Sequence, residues 1–129
     1  MSGSSIYVQR TDCPQCNTPI TLVVIEADQL TPDERTAFTL LLSRVNAALL
    51  PNPKQNELAA LCQQRDCSLD QVAVIATTQR GLPLLLEAAV ALTLRDAGYE
   101  NEAAADVVFK PRSSGGLAAA IEYACRLVA

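Results

Sequence analysis

Hydrophobic residues in the first half of the chain form two strand-like runs and then a helical stripe. Residues 6–8 predict a short strand, and residues 20–25 are a nearly continuous β-branched run, typical of a parallel strand buried on both faces. Residues 31–34 combine a capping threonine, a proline in the first turn and a capping-box glutamate. They predict a helix over residues 32–50. Its buried stripe would comprise Phe38, Leu41, Leu42, Val45 and Leu49.

Helical and strand patterns alternate through the second half. The pattern predicts a helix over residues 54–65, a strand over 72–76, a strand over 107–109 and a helix over 117–127. Residues 84–94 follow Gly81-Leu82-Pro83, a helix start, but residues 90–94 also alternate as a short strand would. Periodicity leaves that segment open between helix and strand.

Strands that alternate with helices predict a three-layer α/β domain. Such a domain has a Rossmann-like parallel sheet with helices on both faces, and its ligands bind at the carboxyl ends of the strands. The residues that follow the predicted strands are therefore the candidates for a site. They fall in residues 10–12, 26–28, 77–80 and 110–114.

The amino-acid composition argues against several classes of function. The 129 residues include no histidine and no tryptophan, and only 4% are aromatic. Histidine-based nucleophile triads, histidine-ligated metals and base-stacking platforms therefore lack their usual side chains. With 10 basic against 14 acidic residues, a net charge of −4 and no basic cluster, we expect neither nucleic acid nor anionic membrane as a partner.

The length suits a single domain over residues 1–129. The first five residues are polar and uncharged after the initial methionine, and no signal-type apolar run follows them. The apolar stretch at residues 82–94 is interrupted by Glu87 and is shorter than the roughly 20 residues that span a bilayer. We therefore expect a cytoplasmic protein. An odd number of cysteines, five, also favours a reducing compartment over a disulfide framework.

Cys13-Pro14-Gln15-Cys16 is the one cysteine motif that suggests chemistry. Its spacing fits a redox pair or half of a zinc site, and the alternative is a turn with two incidental thiols. The next residues lead directly into a strand, so the helix that would lower a redox thiol's pKa is missing. Cys62 and Cys67 are a weak match for the second half of a zinc site. With Cys125, they are interpreted as small hydrophobic residues.

Landmarks spaced along residues 54–129 keep one register with a known family. They are Leu61-Cys62, the run from Cys67 to Ile75, Gly81-Leu82-Pro83-Leu84-Leu85, Asp96-Ala97, Glu100 with the run from Ala104 to Val108, and the glycine-rich turn between Lys110 and Ile121. This part of the chain resembles small haloacid dehalogenase-like phosphatases of the 3-deoxy-manno-octulosonate 8-phosphate phosphatase type. The same family supplies the C-terminal domain of animal CMP-sialic acid synthetases.

The resemblance implies the haloacid dehalogenase-like version of the three-layer fold, trimmed and without a cap domain. It implies a short helix over residues 83–88, a strand over 90–94 and a helical turn over 101–105. Relatives of this type associate as tetramers, so a homo-oligomer is expected. Their chemistry needs an aspartate nucleophile and a second aspartate acid/base after the first strand and a threonine or serine after the second. It also needs a phosphate-binding lysine, and acidic residues after the next strand that hold Mg²⁺.

Of these catalytic elements, only the phosphate-binding lysine has a clear counterpart, which is Lys54. The expected acidic metal loop is Ala76-Thr77-Thr78-Gln79-Arg80-Gly81, which has no carboxylate and carries a cation instead. If residues 6–9 are the first strand, Arg10 stands at the nucleophile position and Asp12 at the acid/base position. The second strand then ends in Glu26 instead of a hydroxyl residue. Alternatively, the family's first strand is absent and residues 6–8 are unrelated to it.

The preferred interpretation is a phosphatase-like domain without catalytic activity and without a cofactor, acting in binding or oligomeric assembly with its own copies or a protein partner. A residual site for a small anion would comprise Lys54, Thr77, Thr78 and Arg80. The alternative is a divergent Mg²⁺-dependent hydrolase of small sugar phosphates, with Asp12, Glu26 and Asp28 around the metal. A redox or zinc module built on Cys13 and Cys16 is the third hypothesis.

Overall fold

The computed structural model describes residues 20–51, 53 and 56–128, in which five parallel strands alternate with five α-helices. The strands are β1 (Leu22–Glu26), β2 (Asn46–Leu50), β3 (Val72–Ala76), β4 (Val90–Leu94) and β5 (Val107–Phe109). The helices are α1 (Pro32–Leu42), α2 (Glu57–Arg65), α3 (Leu82–Glu87), α4 (Tyr99–Ala104) and α5 (Gly116–Leu127). The predicted three-layer α/β fold is confirmed.

The strand order is β2-β1-β3-β4-β5, and every neighbouring pair is parallel. β1 therefore lies between β2 and β3, and its last residue, Glu26, is in register with Ala76 of β3. Because all strands point the same way, the segments that follow β1 and β3 emerge side by side at one edge of the sheet. This register sets the position of the site described below.

Alternate side chains along the strands pack into two separate apolar cores. Val23 and Ile25 of β1 face one core, which is closed by α1 and α5. Leu22 and Val24 face the other, which is closed by α2 and α3. The three central strands, β1, β3 and β4, are thus buried on both faces, as expected for apolar strands of a parallel sheet.

The prediction of one helix over residues 32–50 is wrong. Helix α1 ends at Leu42, and residues 46–50 form β2 along the edge of β1. Alanine and leucine favour helix, but pairing with β1 satisfies the backbone groups on that side of the segment and buries Ala47, so tertiary context overrides local propensity. Leu42, assigned to the buried stripe, is 49% exposed, whereas Leu41 is fully buried.

The start of that helix is as predicted. The Thr31 hydroxyl accepts from Glu34 N (3.3 Å), and Thr31 N donates to Glu34 Oε1 (2.9 Å), which completes the capping box. Residues 84–94, which periodicity left open between helix and strand, are divided between helix α3 and strand β4, as the resemblance implies.

The other boundaries differ from the predictions by a few residues. The strand predicted over 20–25 is Leu22–Glu26, the helix predicted over 54–65 begins at Glu57, and the turn predicted over 101–105 is Tyr99–Ala104. The predicted strand at residues 6–8 and residues Arg10, Asp12, Cys13, Cys16 and Lys54 lie outside the described residues. None of the helices in the described part of the chain combines the length and apolar character that a membrane crossing requires.

Candidate functional site at the carboxyl edge of the sheet

The site is centred on Glu26, whose side chain lies in the interior at the end of β1. Glu26 is only 1% exposed, although it is a carboxylate at the ligand-binding edge of a parallel sheet. Buried carboxylates are tolerated only where donors satisfy them. The loop after β3 supplies those donors.

Thr77 and Thr78 surround the Glu26 carboxylate. Its Oε1 accepts from the backbone N–H groups of Thr77 (3.0 Å) and Thr78 (2.9 Å), and its Oε2 accepts from the Thr78 hydroxyl (2.8 Å). The Thr77 hydroxyl donates to the Glu26 carbonyl oxygen (2.7 Å). The parallel register of β1 and β3 brings these groups together, so one side chain joins two strand ends.

Burial and hydrogen bonding act in opposite directions on this carboxyl group. Desolvation is the larger effect and raises the pKa of Glu26 above its ordinary value. The Thr78 and Thr77 donors and the nearby Arg80 charge lower the pKa and offset part of that rise.

Gly81 keeps this loop close to Glu26. A Cβ at Gly81 would stand 2.5 Å from the Cβ of Ala76 and 2.9 Å from Glu26 Oε1, both closer than packed atoms permit. The loop is held from its other side by Asn101, whose Nδ2 donates to the Thr78 carbonyl oxygen (2.8 Å). Asn101 itself is fully buried on α4. The loop after β3 is therefore fixed by contacts on both sides.

Asp28 and Arg80 form an ion pair beside this cluster. Arg80 Nη1 lies 3.8 Å from Asp28 Oδ1, and both side chains are largely exposed to solvent. Exposed pairs of this kind contribute little to stability. Their relevance is chemical, because Arg80 places a positive charge next to Asp28.

A second ion pair joins the first turn of α1 to the loop after β5 at the same edge. Arg112 donates from Nη2 to Glu34 Oε1 (2.8 Å) and from Nε to Glu34 Oε2 (3.0 Å), and its Nη2 also donates to the Gln29 carbonyl oxygen. Two parallel hydrogen bonds to a nearly buried carboxylate make this a strong arginine–carboxylate pair. It lowers the pKa of Glu34 and raises the pKa of Arg112.

The structure thus brings together five side chains singled out from the sequence and one backbone position that was missed. Glu26, Asp28, Thr77, Thr78 and Arg80 share one edge, while Lys54 and Asp12 lie outside the described residues. Gly81 and the Glu34–Arg112 pair were not assigned to the site. Glu34 could be found only as a capping residue, because its arginine partner is 78 positions away.

No protein-family profile and no curated protein matches the sequence. Solved structures do match. The 3-deoxy-D-manno-octulosonate 8-phosphate phosphatase from Moraxella catarrhalis, in complex with magnesium, phosphate and KDO, superimposes with a TM-score of 0.65 at 14% identity, over 92% of this chain and 90% of that one. The enzyme of the same name from Yersinia pestis gives 0.61 at 16% identity, over 95% and 84%.

The cobalt-bound phosphatase from Haemophilus influenzae gives a TM-score of 0.55 at 13% identity, over 84% of this chain and 92% of that one. At these identities the likeness establishes the fold. The chain has the haloacid dehalogenase-like phosphatase fold, as the sequence resemblance implies.

The magnesium and cobalt in those structures call for a test of whether the described residues here fit a divalent ion. Mg²⁺ requires several oxygen ligands in near-octahedral arrangement. Both Glu26 oxygens already accept hydrogen bonds, and Asp28 faces the Arg80 cation. Within the described part of the chain no three Asp, Glu, Cys or His residues form a group that could hold a metal. These residues do not fit the ion.

Replacing Glu26 with alanine should destabilise the fold. The change removes the side-chain acceptor of the Thr77 N–H, the Thr78 N–H and the Thr78 hydroxyl. The buried Thr77 N–H keeps only its longer bond to the Glu26 carbonyl oxygen (3.3 Å), and Thr78 can turn to water because it is exposed. We therefore expect the free energy of unfolding in urea to fall by roughly 1–3 kcal/mol. Asp28→Ala is the matched control and should change it by less than about 0.5 kcal/mol. Equal effects of the two substitutions would contradict the assigned role of Glu26.

Glu34→Gln should make the free energy of unfolding less dependent on pH in the acid range. Glutamine preserves the capping box, so the substitution isolates the charge paired with Arg112. Because the folded-state pKa of Glu34 lies below its ordinary value of 4.5, the charge stabilises the fold above that pH. That contribution is lost as the pH falls through the lowered pKa.

The measurement is the difference in free energy of unfolding between wild type and Glu34→Gln across the acid range. It should be constant near neutrality and shrink below about pH 4.5. The exposed substitution Glu122→Gln serves as the charge-matched control and should retain the wild-type profile. A difference that stays constant into strong acid would refute the pairing.

Proposed function

We propose that this chain is a catalytically inactive phosphatase-like domain that acts by binding or assembly. The observation that carries the proposal is the Glu26 carboxylate, which is buried and accepts hydrogen bonds from Thr77 and Thr78 at both of its oxygens. A phosphatase of this fold needs a free carboxylate at the carboxyl edge of its sheet. The argument begins with the strand that Glu26 ends.

Strand order favours β1 as the counterpart of the family's first strand. The resemblance assigns β3 to the strand before the metal loop, and two described strands, β1 and β2, precede it. If β1 is the first strand, Glu26 stands at the nucleophile position and Asp28 at the acid/base position. Their spacing equals that of Arg10 and Asp12, which take these positions if residues 6–9 are the first strand. Pro51 then follows the second strand where a hydroxyl residue is expected.

Glu26 is unsuited to nucleophilic attack. A nucleophile needs an accessible oxygen with a lone pair directed at phosphorus, whereas both Glu26 oxygens accept hydrogen bonds within the interior. Glutamate is one methylene longer than the expected aspartate, and the extra length carries its carboxylate into the loop after β3. The group that would attack substrate instead holds two strands together.

The charges around Glu26 also oppose metal-assisted chemistry. The loop after β3 has Arg80 where acidic metal ligands are expected, and Arg80 pairs with Asp28. The N–H groups of Thr77 and Thr78, which could otherwise cradle a phosphate, donate to Glu26. These contacts argue against the residual anion site at Lys54, Thr77, Thr78 and Arg80, which stays a prediction.

Assembly is supported by apolar side chains on α3 and α4. Leu86 is 70% exposed and Tyr99 is 84% exposed, the highest values among the large hydrophobic residues in the described part of the chain. They line an open, mainly apolar cavity of about 350 Å³ together with Leu82, Glu100, Ala103 and Ala104. Exposed apolar patches of this kind are typical of interaction sites, and we propose that the patch joins copies of this chain in a homo-oligomer.

An assay for phosphate release tests the loss of catalysis. Purified protein incubated with Mg²⁺ and a panel of small sugar phosphates should release no more phosphate than Asp28→Asn does. Release that is clearly above the protein-free blank and is lost in Asp28→Asn would establish the alternative, a divergent Mg²⁺-dependent hydrolase.

Sedimentation velocity tests the assembly. The wild-type chain should sediment as an oligomer, and Leu86→Lys should sediment as a monomer, because a charge in the α3–α4 patch opposes its burial. Thr39→Lys adds the same charge to an exposed position of α1 and should leave the oligomer intact. A monomeric wild type, or equal dissociation by both substitutions, would contradict the proposed interface.

A further inference from the structure

Helix α2 ends in a motif that brings two cysteines together. Asp66 adopts the left-handed conformation (φ 56°, ψ 48°), Cys67 N donates to the Cys62 carbonyl oxygen (3.0 Å), and Asp66 N donates to the Gln63 carbonyl oxygen (3.3 Å). These two hydrogen bonds define a Schellman motif. The motif places the side chains of its first and last residues, Cys62 and Cys67, on the same side of the helix end.

The two thiols differ in their access to solvent. Cys62 is buried against the sheet in the core closed by α2, and Cys67 packs at the margin of that core and is partly exposed. Both are free thiols, and Cys67 packs against the apolar cluster that contains Cys62, while its N–H donates to the Cys62 carbonyl oxygen. A neighbouring pair, with one member accessible and one shielded, has the arrangement of an attacking and a resolving cysteine.

We propose that Cys62 and Cys67 form a reversible intramolecular disulfide when the protein meets hydrogen peroxide. This proposal is independent of the inactive-phosphatase proposal, since it concerns the opposite end of the strands. It assigns chemistry to two residues interpreted from sequence as small hydrophobic side chains.

The reaction has two steps. The Cys67 thiolate attacks one peroxide oxygen and breaks the O–O bond, and the leaving hydroxide takes a proton to form water, so Cys67 becomes a sulfenic acid. The Cys62 sulfur then attacks the Cys67 sulfur, loses its proton and displaces the hydroxyl group as a second water. Two thiols are oxidised to one disulfide, and one peroxide is reduced to two waters. A dithiol reductant reverses the change.

The environment of each thiol fits this order of events. Burial, together with the neighbouring Cys67, raises the pKa of Cys62 to about 11, so Cys62 is protonated at neutral pH and does not attack first. Cys67 is the accessible member. The disulfide would tie the last turn of α2 covalently to the segment that leads into β3.

The test uses a variant in which Cys13, Cys16 and Cys125 are replaced by serine, so that only the pair remains. Stoichiometric peroxide should remove both thiols in step, lower the mass by two hydrogens and join residues 62 and 67 in one cyclised peptide. Dithiothreitol should restore both thiols. Closure should be at least about tenfold slower in urea, because the folded motif holds the two cysteines near each other. If the variant does not fold, the same peptide is mapped in the wild-type chain.

Three further variants decide between this site and two incidental thiols. In Cys62→Ser, a dimedone adduct should accumulate on Cys67, because the resolving thiol is absent. Asp66→Gly should close as fast as the parent, whereas Asp66→Val should close several-fold more slowly, because valine opposes the left-handed conformation. Equal closure rates with and without urea, a mixed disulfide between chains, or Cys67 oxidised while Cys62 stays reduced would each overturn the proposal.

Discussion

The carboxyl edge of this protein depends on the hydrogen bonds that the loop after β3 donates to the Glu26 carboxylate, here called the Glu26 clasp. A carboxylate that is 1% exposed is costly unless donors replace water. Here two backbone N–H groups and one hydroxyl do so, all from Thr77 and Thr78. The same hydrogen bonds satisfy the carboxylate and give the N–H groups of the turn a charged acceptor.

Other features of the edge follow from that clasp. Gly81 is required because any side chain would push the loop away from Glu26. Asn101 donates a hydrogen bond to the Thr78 carbonyl oxygen from the far side of the loop, so the loop is held on both sides. With the Glu26 carboxylate turned inward, Asp28 is the exposed acid after β1, and Arg80 neutralises it. The edge is therefore organised around internal pairing, whereas a phosphatase would leave its carboxylates open to substrate and metal.

Local patterns predicted the layers of the fold better than the contacts within the site. β1 and β3 are recognisable because each is a continuous apolar run, and α1 begins at a capping box readable from four residues. β2 was missed because Asn46–Leu50 consists mainly of helix-favouring residues, and only its pairing with β1 makes it a strand. The contact of Glu26 with Thr77 spans 51 positions, and that of Arg112 with Glu34 spans 78. No local pattern encodes such pairs, although the rule that parallel strands end together identified the right loops.

The apolar cores and the polar groups at the carboxyl edge are different sets of side chains, so the polar groups can vary while the cores stay intact. The two apolar cores are built from alternating residues of the strands and lie between the sheet and its helices. Substitutions of polar residues in the loops at the carboxyl edge therefore leave most of this apolar burial in place. A longer acid at position 26 can even gain hydrogen bonds that an open catalytic carboxylate must forgo. Stability and catalysis place opposite demands on the same atoms at this edge, and the internal pairing of Glu26 meets the demand of stability.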